Sequence, residues 1–387
     1  MVKTVEEVWV LTRSNNKDPI ERDPRSRNPN LHFIYFDLPQ PLRALKKKIP
    51  GFLYLYVYLW QRGAFRVAQA QQQKTPFDAV FYVTFSGMMT GCPLGKLGLP
   101  FIVGPVAGGE VAPSGIMHSL PLRFRLFEAV RRLGISVQRI SPITQQAYDR
   151  ASHIFVTSRE SLQLISPQKR HKASILLSVG LSPSDLALPM SERPNTPKFV
   201  CIARLLHWKG IHLAIKAFAQ VVSVLPDASL DILGTGPHKD WLHSVAVKCG
   251  VENKVHFMGH MDRQASMDYL KLCTALVFPS MHDSGGMAVL ESLARGTPVI
   301  CLDLGGPGTM IDNSCGYKLE TANRHEGAIV QEIAQAMQMF NHMSDAEYNA
   351  YAMGARDRAA QLTWTRLHNS IFEQSGLVTT LKIPDSE

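Results

Sequence analysis

The stretch Lys198-Phe-Val-Cys-Ile-Ala-Arg-Leu-Leu-His-Trp-Lys-Gly210 runs directly into Ile211-His-Leu-Ala-Ile-Lys-Ala-Phe-Ala-Gln-Val-Val-Ser-Val-Leu225, and Pro226 closes it. Its first six residues form an apolar, partly β-branched run of strand length. After Gly210, residues Leu213, Ala214, Ala217, Phe218 and Val221 recur at helical spacing, and Pro226, which has no N–H to give, ends the period. Strand, loop, helix, turn is the repeat of a parallel sheet with crossover helices. Outward from here the unit recurs. Ser229-Leu-Asp-Ile-Leu233 is a second strand, followed by Gly234-Thr-Gly-Pro237 and a helix through Trp241 and Leu242 to Lys248. Lys254-Val-His-Phe-Met258, Ala275-Leu-Val-Phe278 and Pro298-Val-Ile-Cys-Leu302 are further strands, the last behind a helix ended by Gly296. This half reads as a doubly wound α/β unit.

The first half alternates less cleanly but to the same effect, with strand candidates at residues 7–12, 32–36, 79–85, 101–103 and 153–157. Turn formers gather in Ser182-Pro-Ser-Asp185 and Ser191-Glu-Arg-Pro-Asn-Thr-Pro197, which places a linker near 182–197. The expectation is two Rossmann-like domains facing a cleft, residues 1–185 and residues 186–387. The last helix of the second domain is a candidate to pack back on the first. Paired α/β domains of this kind hold their ligand between them.

The composition of the 387 residues, 45% hydrophobic and 19% charged, excludes global disorder, a coiled coil and collagen. The six cysteines form no C-x-x-C pair and fall mostly in apolar runs, as buried free thiols of a reducing, cytoplasmic protein do. The longest greasy run, Gly51 to Trp60, is too short to span a bilayer, and the start lacks a signal-peptide pattern. Net charge is +9 and unevenly spread: residues 1–190 carry 24 Lys and Arg against 12 Asp and Glu, residues 191–387 carry 17 against 20. A basic first half implies an anionic partner or surface. Zinc-ligand spacing, aromatic RNA-binding stripes and Arg-Gly tracts are missing from the sequence, so a nucleic-acid partner is not expected.

Arg204 and Lys209 follow the strand that ends at Ala203, and the carboxyl ends of parallel strands are where such sheets bind ligands. A guanidinium fork and a mobile ammonium suit a diphosphate, although two cations alone on a loop are more often simply solvated. Pro279-Ser-Met-His-Asp-Ser-Gly-Gly-Met-Ala-Val-Leu-Glu291 adds a second feature, a strand end passing through a glycine turn into a helix. Gly285 and Gly286 let backbone N–H groups approach a ligand, and the helix N-terminus favours an anion. Glu291, one to two turns into that helix, is placed to accept from ribose hydroxyls, or else lies on the helix surface; the alternative for Asp283 is an N-cap or turn residue.

Taken together these motifs resemble the retaining nucleotide-sugar glycosyltransferases of family 4, which have the two-domain GT-B architecture. The resemblance rests on Arg204-Leu205, Lys209-Gly210, Gly234-Thr-Gly-Pro237, Val255-His-Phe-Met-Gly259, Pro279-Ser280, the Asp283 to Glu291 spacing and Gly305-Gly306, in family order. In the first half it is carried by Asp78, Val83-Thr-Phe85 and Gly104-Pro-Val-Ala-Gly-Gly-Glu110. It implies catalysis by Arg204, Lys209 and Asp283, with donor binding by Glu291, Gly285, Gly286, Met287 and Gly234. It further implies a nucleoside-diphosphate sugar as donor substrate, no cofactor and no metal, and the chain has no D-x-D triplet. The implied product is a cell-envelope or exopolysaccharide glycan, built on a glycan or lipid-linked acceptor.

This sequence departs from the family pattern in several places. Asp283 stands where the first Glu is usual, and Thr309 where a Glu often follows the glycine pair. No cleft His can be carried over onto Phe81-Tyr-Val-Thr-Phe85, which leaves Thr84 and Glu110 as acceptor-side candidates. The family's first βα unit is not found before Glu7. A truncated or catalytically degenerate nucleotide-sugar-binding protein is therefore the second reading. Lys46-Lys-Lys48 with the aromatic run Phe52 to Trp60, and the helix bearing Leu122, Leu126, Phe127, Val130 and Leu133 among Arg123, Arg125, Arg131 and Arg132, suit an anionic membrane. Taken singly, each segment reads first as a crossover helix with its apolar face on the sheet, and the membrane reading comes from taking them with the basic first half as a whole.

Overall fold

The computed structural model describes residues 5–377, apart from 50, 84–86 and 191–192. In the first half, β1 (Val8–Thr12) and β2 (Leu31–Tyr35) pair in parallel as a sheet of their own, every residue half-buried. The helix Phe52–Lys74 leads to β3 (Val80–Tyr82), β4 (Phe101–Val106), β5 (His153–Val156) and β6 (Ala173–Ile175), a parallel sheet in sequential order. Phe101, Val103, Val106, Ile154 and Val156 are buried in one cluster on this sheet with Tyr148 and Leu164. On the other side, Ile102, Phe155 and Leu176 meet Phe372 of the helix Trp364–Ser375, so the end of the chain covers the first sheet.

The second half is a six-stranded parallel sheet built from β7 (Lys198–Ile202), β8 (Ser229–Leu233), β9 (Val255–Gly259), β10 (Ala275–Phe278), β11 (Val299–Leu302) and β12 (Gly316–Leu319). The spatial order is β12-β11-β10-β7-β8-β9. The chain enters at the centre, winds outward through β8 and β9, then returns to lay β10 against the free side of β7. Winding therefore reverses between β7 and β10, and the loops leaving their carboxyl ends lie side by side there, at the position where such sheets bind ligands. Both faces are covered, by the helices Ile211–Val222 and Glu326–His342 among others on one side and Met287–Arg295 with Asp345–Gln361 on the other.

The strand and helix boundaries expected in the second half agree with the observed ones to within a few residues. Two strands were not foreseen, β6 and β12, because Ala173-Ser-Ile175 and Gly316-Tyr-Lys-Leu319 are short and mixed in polarity. The expected linker is partly anchored: Ser182 caps the short helix Pro183–Leu186, and the Asp185 carboxylate reaches Arg263 at 2.7 Å. The chain crosses between the halves twice, and the crossings run side by side, Leu181 N–H donating to Leu362 O and Trp364 N–H to Leu181 O. Helix Leu122–Ile140 departs from the crossover-helix expectation. Phe124, Glu128 and Gln138 are buried, while Leu122, Leu126, Phe127, Val130, Leu133, Val137 and Ile140 face outward.

Candidate donor site

The two loops at the switch point touch. After β7, a tight turn at His207–Lys209 ends on Gly210, whose φ of +69° is left-handed and where a Cβ would lie 1.9 Å from the Pro279 carbonyl oxygen. Only glycine allows this approach. Met281 N–H donates to Trp208 O at 2.8 Å, closing the loops on each other. Lys209 and Asp283 consequently meet as a half-buried ion pair, with the Lys209 ammonium also lying 5.7 Å from the centre of the Phe278 ring.

Asp283 does more than was expected of it. Its Oδ1 accepts from the N–H groups of Gly285 at 3.1 Å and Gly286 at 2.8 Å. These two N–H groups, expected to face a ligand, are thus met by the aspartate, which acts as a turn residue, while Gly286 itself is the N-cap of the helix that follows. Met287 opens the helix that follows.

Arg204 is exposed and makes no side-chain hydrogen bond or ion pair among the described residues. It lines a cavity of about 420 Å³ at the carboxyl ends of β7 and β8, together with Ala203, Gly234, Thr235, Gly236 and His260. Gly234 is required there: at φ +138°, a Cβ would sit 2.0 Å from the Ala203 carbonyl oxygen. The cavity is of ordinary size for a small-molecule site, and its one strong charge is cationic.

Glu291 is buried on the helix Met287–Arg295 and its Oε1 accepts from Arg263 Nε at 2.7 Å, while Arg263 Nη1 reaches Asp185. Burial pushes the Glu291 carboxyl above its ordinary range, and Arg263 opposes this. Sequence reasoning missed Arg263, whose only local signal is its place just after the N-cap Asp262.

On the first-half side, Glu110 is buried and its carboxylate accepts from Ser158 Oγ at 3.0 Å, Ser161 Oγ at 3.3 Å and Gly108 N at 3.2 Å. It organises its own loop and lies close to Gly305 of the second half. Thr84 lies outside the described residues. Thr309 donates to Gly305 O within its helix. The structure therefore joins Lys209, Asp283, Gly285 and Gly286 in one contact set and Arg204 with Gly234 in one cavity. Glu291 is set apart with Arg263.

Sequence reasoning also missed a cluster beside this site. Glu128 Oε1 lies 2.9 Å from His207 Nε2, and Oε2 lies 3.0 Å from His282 Nε2, all three side chains being buried. Burial alone would raise the Glu128 carboxyl, but the two imidazoles bring it down to about 2. Burial holds His282 below its ordinary value. Both Nε2 atoms contact the carboxylate itself, and no group of His, Cys, Asp or Glu among the described residues is arranged to hold a metal ion.

Residues 190–353 match the family profile described as Glycosyl transferases group 1, a span that includes Arg204, Lys209, Asp283 and Glu291. Over that span, which is less than half of the chain, the protein is similar to glycosyl transferases group 1, and its two parallel-stranded halves are of GT-B type. Among curated relatives, it is 34% identical over 125 residues to the glycogen synthase of Mycobacterium tuberculosis, 32% of this chain and 30% of that protein. It is 25% identical over 263 residues to the D-inositol 3-phosphate glycosyltransferase of Corynebacterium aurimucosum, 62% of this chain and 60% of the relative. The chain thus spans less than two thirds of the length of either. Its fold is similar to that of HepE of Anabaena, solved in complex with UDP and glucose, at TM-score 0.59 and 17% identity over 96% of this chain and 92% of that one. It is also similar to the lipopolysaccharide outer core galactosyltransferase WaaB in its apo form, at TM-score 0.61 and 14% identity over 96% and 99%.

Proposed function

We propose that this protein is a retaining, metal-independent glycosyltransferase that moves a sugar from a nucleoside-diphosphate sugar to a glycan or lipid-linked acceptor in cell-envelope or exopolysaccharide biosynthesis. The observation that carries the reading is that one loop, the one leaving β7, carries Arg204 in the cavity of about 420 Å³ and Lys209 in the ion pair with Asp283 across the β7/β10 switch point, within the stretch that matches the family. In this reading residues 186–387 hold the donor and residues 1–185 face the acceptor, with Thr84 and Glu110 as candidates on that side.

Arg204 and Lys209 neutralise the diphosphate as the bond from the anomeric carbon to the phosphate oxygen breaks, preorganised electrostatics that cost no solvent reorganisation at that moment. The acceptor hydroxyl forms the new bond on the same face, and its proton passes to a leaving phosphate oxygen. Asp283 fixes Lys209 and caps the glycine turn, and its remaining acceptor capacity meets sugar hydroxyls; Met287, Gly285, Gly286 and Gly234 shape the backbone against the donor. Glu291 accepts from ribose hydroxyls. The names of several relatives support an envelope role, among them a poly(glycerol-phosphate) α-glucosyltransferase of Bacillus subtilis.

The outward apolar face of helix Leu122–Ile140, flanked by exposed Arg123 and Arg125, supports docking on an anionic membrane surface at the cytoplasmic side. Among the described residues no helix is long and apolar enough to cross a membrane.

The test is turnover of UDP-glucose, GDP-mannose and ADP-glucose, read as nucleotide release and as anomeric configuration of the product by NMR. One donor is expected to be consumed with retention in the presence of EDTA, and Arg204→Ala or Lys209→Ala to slow it about 100-fold or more. Nucleotide binding without release from any donor would support the binding-protein reading instead.

A further inference from the structure

Helix Leu122–Ile140 belongs to the first half, yet two of its buried side chains, Phe124 and Glu128, end in the second. Phe124 stacks on the His207 ring at 4.4 Å with planes 6° apart, and Phe127 stacks on Trp208 at 5.2 Å and 7°. Between these aromatic contacts the Glu128 carboxylate reaches both loops of the donor site, through His207 at 2.9 Å and His282 at 3.0 Å. His207 stands two residues before Lys209, and His282 immediately precedes Asp283. One turn further along, Arg131 Nη2 donates to the Glu110 carbonyl oxygen, and its charge with that of Glu110 also faces His282.

A buried carboxylate is a costly way merely to glue a helix down, since apolar residues of similar volume are often as stabilising or more so. Here the exposed face is leucine-rich and the buried face carries the acid, the reverse of an ordinary surface helix. We propose that Glu128 is a positioning residue: by bridging His207 and His282 it holds the two loops in the register that pairs Lys209 with Asp283, so the donor site is complete only when the first-half helix is seated. The proposal rests on the donor-site reading given above.

The experiment is a double-mutant cycle between Glu128→Gln and Lys209→Ala, read as kcat and donor KM with whichever of UDP-glucose, GDP-mannose and ADP-glucose the wild type consumes, each variant first shown to melt cooperatively. Glu128→Gln is expected to lower kcat about tenfold or more with donor KM changed less than about threefold, and to cost nothing further in the Lys209→Ala background. A purely structural role predicts losses that add. If Glu128→Gln does not melt cooperatively, His282→Gln takes its place with the same expectation. Wild-type kcat in a folded variant, or a loss fully additive with that of Lys209→Ala, overturns the proposal and leaves the donor site standing. Failure of the wild type to consume any donor removes the transferase reading and the proposal with it.

Discussion

His212 shows how far a single side chain can depart from its solution chemistry in this fold. It is buried on helix Ile211–Val222, its ring 5.1 Å from that of Trp241, and neither ring nitrogen has a hydrogen-bond partner. Burial, aided by the Lys216 charge, pushes its pKa down to about 3. In the unfolded chain the same imidazole takes up a proton near pH 6.5. The folded state therefore holds this stability above pH 6.5 and loses it as pH falls toward 3, by about 1.4 kcal/mol per pH unit for one proton. His212→Leu is expected to melt with a shallower acid limb than wild type between pH 7 and pH 5; parallel limbs would show that His212 is not the group responsible. At this scale the parts of the candidate site that could be read from the sequence are those close to their own strand. Arg204, Lys209 and Asp283 are all found within a few residues of strand ends, where chemistry is expected. Glu128 was illegible, because its partner His207 lies 79 positions away and nothing local to an Arg- and Leu-rich helix marks its one glutamate as buried.

Helix Leu122–Ile140 carries the element-scale lesson. Its periodicity correctly announced an amphipathic helix, but periodicity does not say which face turns inward. Here Leu122, Leu126, Val130, Leu133, Val137 and Ile140 are each at least 50% exposed, a contiguous stripe that a monomeric soluble surface seldom shows. With Arg123 on one flank and Arg125 on the other, the stripe suits insertion among anionic lipids. Sedimentation with vesicles containing phosphatidylglycerol at low salt is expected to capture the wild type, and Leu126→Asp with Leu133→Asp to abolish capture while leaving the melting temperature unchanged. Equal sedimentation of wild type and variant would contradict membrane docking through this helix. Strand recognition followed simpler rules. The buried central strands β7, β10 and β11 are continuous apolar runs and were found, whereas the three half-buried residues of β6 were not.

At the scale of the whole molecule, the candidate site follows from one topological fact, the reversal of winding between β7 and β10. It sets two loops of opposite course side by side, and Gly210 against Pro279 lets them touch, so Lys209 and Asp283, 74 positions apart, become an ion pair. The second half was readable because its strands alternate regularly with helices. The first half was harder because its sheet strands are short, β1 and β2 stand as a separate pair, and the helix of the chain's other end, Trp364–Ser375, completes its core. The central claim is that the second half holds a nucleoside diphosphate at Arg204 and Lys209. The most direct measurement is thermal unfolding with UDP, GDP and ADP on the wild type, Arg204→Ala and Lys209→Ala. A nucleotide at 100 times its Kd should add about 2.7 kcal/mol of stability. The account predicts a raised melting temperature with one of the three nucleotides, lost in both folded variants; no shift with any of them, or a shift that survives both substitutions, would contradict it.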